Sequence, residues 1–199
     1  MNNNHLLIFM RSPVLGEVKT RLAAETGDEE ALLLYLTLVK HTLEVAATIN
    51  CERFLCVEGD LKGFAYAENT FMFLKQSGSE LGERMKNAFA RSFNNGALKV
   101  IIIGTDSAEI EATHINKAFE LLDSVDAVVG PAMDGGYYLL GLTRMLEPLF
   151  SGKQWSSSTV FKNTIKDLKT FNFSYCELES LSDIDTLADL ERSSKFREL

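Results

Sequence analysis

A three-layer α/β/α domain built on a mixed, mostly parallel sheet is the fold this chain predicts, and three features predict it. Short apolar, β-favouring runs alternate with longer stretches of helical period, and parallel neighbours need crossover connections of that length. Two later apolar runs, residues 127–130 and 137–142, stand only six residues apart, too close for a crossover helix, so a strand there runs against the rest. The 199 residues are 46% hydrophobic and contain no Pro/Gly/Ser-rich linker or internal repeat, which suits one domain over 1–199 with a core to fill.

The elements follow in order. Residues 6–10 are apolar and end at Arg-Ser-Pro, the pattern of a buried strand, and a loop from Arg11 to Arg21 comes next. Residues 29–49 form a long helix, and 54–57 and 71–74 are strands. Residues 82–93 have helical period, with Met85, Ala88, Phe89 and Phe93 on one side. Val100-Ile-Ile-Ile103 is a strand that runs into Gly-Thr-Asp-Ser. A helix over 112–122 follows, with Ile115, Ala118, Phe119 and Leu122 as its stripe, and another spans 160–168.

Charge and cysteine usage exclude several classes. Twenty Lys and Arg against twenty-eight Asp and Glu leave a net charge of −8, the wrong sign for a general nucleic-acid binder. Cys51, Cys56 and Cys176 are odd in number and lack C-x-x-C spacing, so they read as reduced thiols of a cytoplasmic protein. Residues 6–10 are too short for a signal-peptide core, and no apolar run approaches the roughly 20 residues of a membrane span.

In a sheet of this kind, ligands bind where the strand order reverses, at the carboxyl ends of the strands. The loop after the first strand carries Arg11, Lys19 and Arg21, with Gly16 for a tight bend; it is either a solvated basic loop or a phosphate site. It is no Walker loop, since position 18 is Val, and the chain has no G-x-G pair, which disfavours a dinucleotide-dependent dehydrogenase. Gly104-Thr-Asp-Ser107 either caps the next helix or sets Asp106 beside a divalent cation. Asp183 and Asp185 share a side if their segment is extended, where their repulsion calls for a cation or a shared proton; Asp185 also reads as the N-cap of a last helix. Met133-Asp-Gly-Gly-Tyr137 is a turn whose Gly135 and Gly136 also permit close backbone approach to a ligand. Trp155 is a core residue or a ligand platform, and the serines after it cap a helix or hold an anion. The three histidines lack metal-ligand spacing, and no nucleophile triad is legible.

Six blocks then stand in order: Pro13-x-x-Gly16-x-Val18-Lys-Thr-Arg-Leu22, Gln76-x-Gly-x-Glu-Leu-Gly-Glu-Arg-Met85, Ile103-Gly-Thr-Asp-Ser107, Gly130-Pro-Ala-x-Asp-Gly-Gly-Tyr-Tyr-Leu-Leu-Gly141, Trp155-Ser-x-Ser158 and Asp183-Ile-Asp-Thr186. On them the chain resembles the bacterial radical-SAM/selenodomain-associated transferases, a glycosyltransferase-like family with the GT-A nucleotide-diphospho-sugar transferase fold. It is more distantly similar to 2-phospholactate guanylyltransferases. Ala108 stands where that pattern has proline, and Glu80 where it has aspartate.

The resemblance implies a nucleotide site at Arg11, Gly16, Lys19, Arg21, Gly78 and Arg84. It implies Mg²⁺ or Mn²⁺ on Asp106, with Asp183 and Asp185 as further carboxylates at the metal or near the acceptor; for glycosyl transfer the catalytic candidates are Asp106, Lys19 and Asp134, the last to orient the acceptor or take its proton, and the candidate substrate contacts are Gly135, Gly136, Trp155, Ser156 and Ser158. The expected partners are a nucleotide sugar or a nucleoside triphosphate and a small-molecule acceptor. Metal-dependent glycosyl transfer leads; nucleotidyl transfer with pyrophosphate release and a non-catalytic binding module are the alternatives.

Overall fold

The computed structural model describes residues 3–61, 64 and 69–198. Its seven strands are β1 (Asn4–Arg11), β2 (Glu52–Glu58), β3 (Met72–Lys75), β4 (Lys99–Ile103), β5 (Ala127–Pro131), β6 (Tyr137–Leu142) and β7 (Tyr175–Glu177). They form one sheet in the order β3-β2-β1-β4-β6-β5-β7. β6 runs antiparallel to both its neighbours, β4 and β5, and every other pairing is parallel. The link between β5 and β6, five residues once Pro131 joins β5, therefore makes the antiparallel turn its length required.

The helices are α1 (Thr20–Thr26), α2 (Asp28–Ala47), α3 (Leu81–Asn94), α4 (Ala112–Leu121), α5 (Val160–Thr170) and α6 (Leu187–Arg192). Strand alternation divides the core. Leu6, Ile8 and Met10 of β1 pack with Tyr35 and Val39 of α2 and Ile115 and Phe119 of α4. Leu7 and Phe9 face the other way, onto Met85 and Phe89 of α3 and Leu168 of α5. Helices thus cover both faces of the sheet, giving three layers. Leu6, Leu7 and Ile8 are fully buried, each contributing about 1.5–3 kcal/mol by leaving water. No helix among the described residues is long and apolar enough to cross a membrane.

Several expectations change. α1 begins inside the stretch read as loop, at Thr20. It is seven residues long and its N-cap, Lys19, offers no capping side chain, so the usual start signal is missing. β7 has three residues, too few to show a period. The N-cap of α6 is Thr186, whose hydroxyl accepts from the Asp189 amide in a capping box, so Asp185 is not the cap and its carboxylate is spent elsewhere. α4 is capped by Glu111, which leaves Thr105, Asp106 and Ser107 out of any capping role.

The strand order reverses at β1, with β2 and β3 on one side and β4 on the other. The β1–β4 register ends at Ile8↔Ile103, whereas β1 stays paired with β2 as far as Arg11↔Glu58. Beyond Ile8 the two central strands part, and a crevice opens at their carboxyl ends.

Candidate functional site

A cleft of about 850 Å³ occupies that crevice. One wall begins with the loop after β1. Lys19, at its end, takes φ +47°, ψ +43°, a left-handed conformation that costs a non-glycine residue about 1–2 kcal/mol. Its side chain is 4% exposed, and Nζ lies 2.5 Å from Asp106 Oδ1 and 2.9 Å from Asp185 Oδ1. Burial by itself would lower the Lys19 pKa, but the charges of Asp106 and Asp185 outweigh it and hold the ammonium above its ordinary value.

Backbone stitching brings the three acids together. The Ile184 amide donates to the Asp106 carbonyl at 2.9 Å, the Ser107 hydroxyl to the Ser182 carbonyl at 2.8 Å, and the Ser182 amide to Glu109 Oε2 at 2.7 Å. Ile184, 1% exposed, packs into a small core with Leu38 and Ala108, the residue that replaces the expected proline. With Ile184 turned inward, Asp183 and Asp185 both line the cleft, as the two-residue period of an extended segment requires. Upstream, the Leu181 amide donates to Pro131 O and the Met133 amide to Leu181 O, which ties the same segment to the turn carrying Asp134.

That turn is held from below. Asp134 Oδ1 accepts from the Gly136 amide at 2.7 Å, and the Phe161 amide of α5 donates to the Gly135 carbonyl at 2.9 Å. Gly135 has φ +92°, and a Cβ there would run into the Ser158 backbone, so only glycine fits.

Arg11 and Arg84 share one counter-charge, Glu58 at the end of β2: Arg11 Nε is 3.3 Å and Arg84 Nη1 2.5 Å from its carboxylate. Arg84 Nε also donates to the Gly78 carbonyl at 3.1 Å. Arg21 lines the cleft and is exposed. The far end is aromatic. Trp155 packs against the first turn of α3, where any side chain at Gly82 would collide with the indole. Its buried Nε1 has no hydrogen-bond partner among the described residues, and the Tyr137 hydroxyl donates to Met85 Sδ at 3.7 Å.

Of the residues expected at a site, Arg11, Lys19, Arg21, Arg84, Asp106 and Asp134 line this cleft, as do Gly136, Trp155, Ser156, Asp183 and Asp185. Gly16, Gly78, Gly135 and Ser158 do not line it; they shape the loops behind it. The lining also includes Tyr35, Glu58 and Gln76, which sequence reasoning did not single out as site residues. Gln76 stood within one of the ordered blocks. Glu58 becomes visible only through its register with Arg11, and Tyr35 looks like one more member of the apolar stripe of α2.

Asp183 is the exception in charge balance. Its carboxylate has no hydrogen-bond donor or ion pair among the described residues, and burial, with Asp106 and Asp134 nearby, pushes its pKa up to about 8. A carboxyl whose folded pKa is raised stabilises the fold most below its unfolded value, and the contribution is lost as pH rises towards 8. In metal-free protein Asp183 gives a falling contribution to melting temperature from pH 5 to pH 8, set against a rising one from His5, whose burial holds its imidazole below the ordinary value. Asp183→Asn removes the falling contribution in a thermal scan across the range, and an equal slope in both proteins would refute the assignment.

Among the described residues, no group of three or more His, Cys, Asp or Glu forms a ready-made metal cage. Asp106 and Asp185 are turned to Lys19 instead.

Residues 41–157 match the family described as "Uncharacterized protein conserved in bacteria (DUF2064)". Among solved structures, the chain is 30% identical to a candidate nucleotide-diphospho-sugar transferase from Desulfovibrio desulfuricans G20, with a TM-score of 0.89 over 99% of this chain and 94% of that one. It is 16% identical to a cytidylyltransferase from Leptospira borgpetersenii serovar Hardjo-bovis, with a TM-score of 0.62 over 96% and 84% of the two chains. It is 17% identical to Rv0371C from Mycobacterium tuberculosis H37Rv in complex with manganese, with a TM-score of 0.58 over 95% of each chain. At those two lower identities the likeness is one of fold. No curated protein matches the chain.

Proposed function

We propose that this chain, which belongs to the DUF2064 family of proteins conserved in bacteria, is a transferase acting on a nucleotide-activated donor, and that it moves a glycosyl group from a nucleotide-diphospho-sugar to a small acceptor. One observation carries the reading: a buried lysine locked between Asp106 and Asp185 at the point where the strand order reverses. The 30% identical relative and the six sequence blocks, which narrow the likeness to the radical-SAM-associated transferases, support it.

The donor set suits a divalent ion. Asp106, Asp134, Asp183 and Asp185 bring four carboxylates to the cleft against the buried ammonium of Lys19, the other buried lysine of the lining, Lys153, being paired with Asp167, and Asp183 stays ionised at neutral pH only if more positive charge arrives. Mg²⁺ or Mn²⁺, both takers of hard oxygen ligands, would be held by Asp106 and Asp183 with Asp185 behind them. When bound, the ion would neutralise the donor phosphates and the charge that grows on the leaving group.

The chain's own residues do the rest. Lys19 and Arg21 receive the phosphates, with Arg11 and Arg84 at the β2 side of the cleft. Trp155, Ser156 and Gly136 line the opposite end and hold the sugar and acceptor. The acceptor oxygen bonds to the anomeric carbon as the bond from that carbon to the phosphate oxygen breaks. The bonding electrons leave with the nucleoside diphosphate, and Asp134 takes the acceptor's proton. Lys19, already desolvated and fixed, needs no reorganisation to stabilise the departing charge. We place the reaction in the cytoplasm, where nucleotide-activated donors occur and free thiols such as Cys51 and Cys56 stay reduced.

Nucleotidyl transfer is the second reading, favoured by five cationic side chains lining one cleft, Arg11, Lys19, Arg21, Arg84 and Lys153, enough for a triphosphate. Phosphorus NMR of products, across nucleotide sugars and nucleoside triphosphates with Mg²⁺, separates the two. Nucleoside diphosphate release is expected; pyrophosphate release would move the assignment to the second reading. Binding without product from any donor would leave a non-catalytic module.

A further inference from the structure

Where β1 and β4 part, the main chain of β1 should run out of partners. The two strands stay in register only to Ile8↔Ile103, so the main-chain groups of Arg11 cannot be met by β4. Both are met by one side chain. The Arg11 amide donates to the Tyr35 hydroxyl at 2.9 Å, and that hydroxyl donates to the Arg11 carbonyl at 2.8 Å. Tyr35 comes from α2, is 4% exposed, and packs its ring into the core under the crevice. The buried Thr105 hydroxyl on the β4 side faces the same oxygen. The phenol proton and one lone pair are used by Arg11 and the remaining lone pair faces Thr105, so the hydroxyl has no proton to offer a substrate. Burial first, and Asp106 second, push the phenol up to about 12, so it stays a neutral donor throughout the working range.

We propose that Tyr35 is a positioning residue, a surrogate strand partner that fixes the spacing between the cationic loop after β1 and the Asp106 loop after β4. The inference rests on the reading of the cleft as a phosphate site. Neither loop has a ladder bond to the other at this point, so their separation depends on side chains that reach both: Lys19 on Asp106 at the far end of the cationic loop, and Tyr35 where that loop leaves β1. The phosphate wall starts at Arg11 and the acidic wall at Thr105-Asp106, so a change of spacing is felt by a ligand that must touch both. A misplacement well below the length of a side chain is enough to weaken such a bidentate grip.

The test uses inorganic pyrophosphate with MgCl₂, titrated calorimetrically into the full chain. Tyr35→Phe keeps the ring and removes one oxygen; Thr105→Val keeps the shape and removes the other end of the link. Each is expected to weaken pyrophosphate binding about tenfold, the size of one or two lost hydrogen bonds, with the number of sites per chain unchanged. The double variant is expected to bind no more weakly than the worse single one, because both act through one link. Thr105→Val alone decides the matter if Tyr35→Phe does not fold. A loss confined to the number of sites, with affinity intact, would show a merely structural role and overturn the proposal, as would unchanged affinity in either folded variant. Failure of the unsubstituted chain to bind pyrophosphate would remove the phosphate-site reading itself, and Tyr35's role with it.

Discussion

Asp106→Asn is expected to lower turnover by two to three orders of magnitude on whichever donor gives product, the range seen when one preorganised charge-stabilising group is removed. The substitution is nearly isosteric, and the side chain is about half exposed, so the fold has little reason to suffer. What it removes is a charge. Lys19 loses its nearer partner, at 2.5 Å, and the acidic cluster loses the carboxylate that joins the lysine side of the cleft to Asp183. The asparagine carbonyl still accepts a hydrogen bond but holds neither an ammonium nor a divalent ion with comparable strength. Steady-state kinetics with a thermal scan check the outcome: turnover collapses while the melting temperature moves by a few degrees at most. Undiminished turnover would separate Asp106 from the chemistry.

Lys19→Met strikes the opposite partner and is expected to cost both stability and donor binding. Removing the ammonium leaves Asp106 and Asp185 facing each other without a counter-ion. A buried pair broken this way costs about 3–5 kcal/mol, but both carboxylates are 42–49% exposed and can rehydrate, so about 1–3 kcal/mol is the expected loss. Lys19→Gly makes a useful companion. It removes the same charge and relieves the left-handed backbone at φ +47°, worth about 1 kcal/mol, but it also empties the space of a stem that is 4% exposed, which costs about 2 kcal/mol or more, and it is expected to be the less stable of the two. Both variants bind the donor at least tenfold more weakly, whatever their relative stability. A glycine variant more stable than the methionine one would show that the strain at position 19 outweighs the packing of its stem. If either retains donor affinity, the lysine is a structural ion pair and no more.

Much of the frame was legible because it is local. The apolar runs of β1 and β4 announce strands whatever surrounds them, and the short β5–β6 link dictates an antiparallel turn. The acidic residues of the site were legible as residue types, since an aspartate after a buried strand and an Asp-x-Asp segment are unusual enough to notice. Their use was not. Lys19 meets Asp185 across 166 positions of chain, a pairing decided by the stitching of residues 182–184 to the Asp106 loop, which no short-range pattern encodes. Asp185 looked like a helix cap because capping is a local role, yet Thr186 takes it and frees the carboxylate for the lysine. α1 was hidden for the same reason: its first residue follows a left-handed lysine instead of a capping side chain, and tertiary ion pairs hold that lysine in place. Tyr35 is the clearest case. In sequence it is one apolar position in a helical stripe, and its hydroxyl gains meaning only where two strands diverge above it.

The most direct measurement is a crystal structure of the chain soaked with a nucleoside diphosphate and MnCl₂, with anomalous scattering locating the metal. A manganese peak is expected between Asp106 and Asp183, and a diphosphate against Lys19 and Arg21 in the crevice where β1 and β4 separate. A peak away from those acids, or a nucleotide bound on another face of the sheet, would contradict this placement.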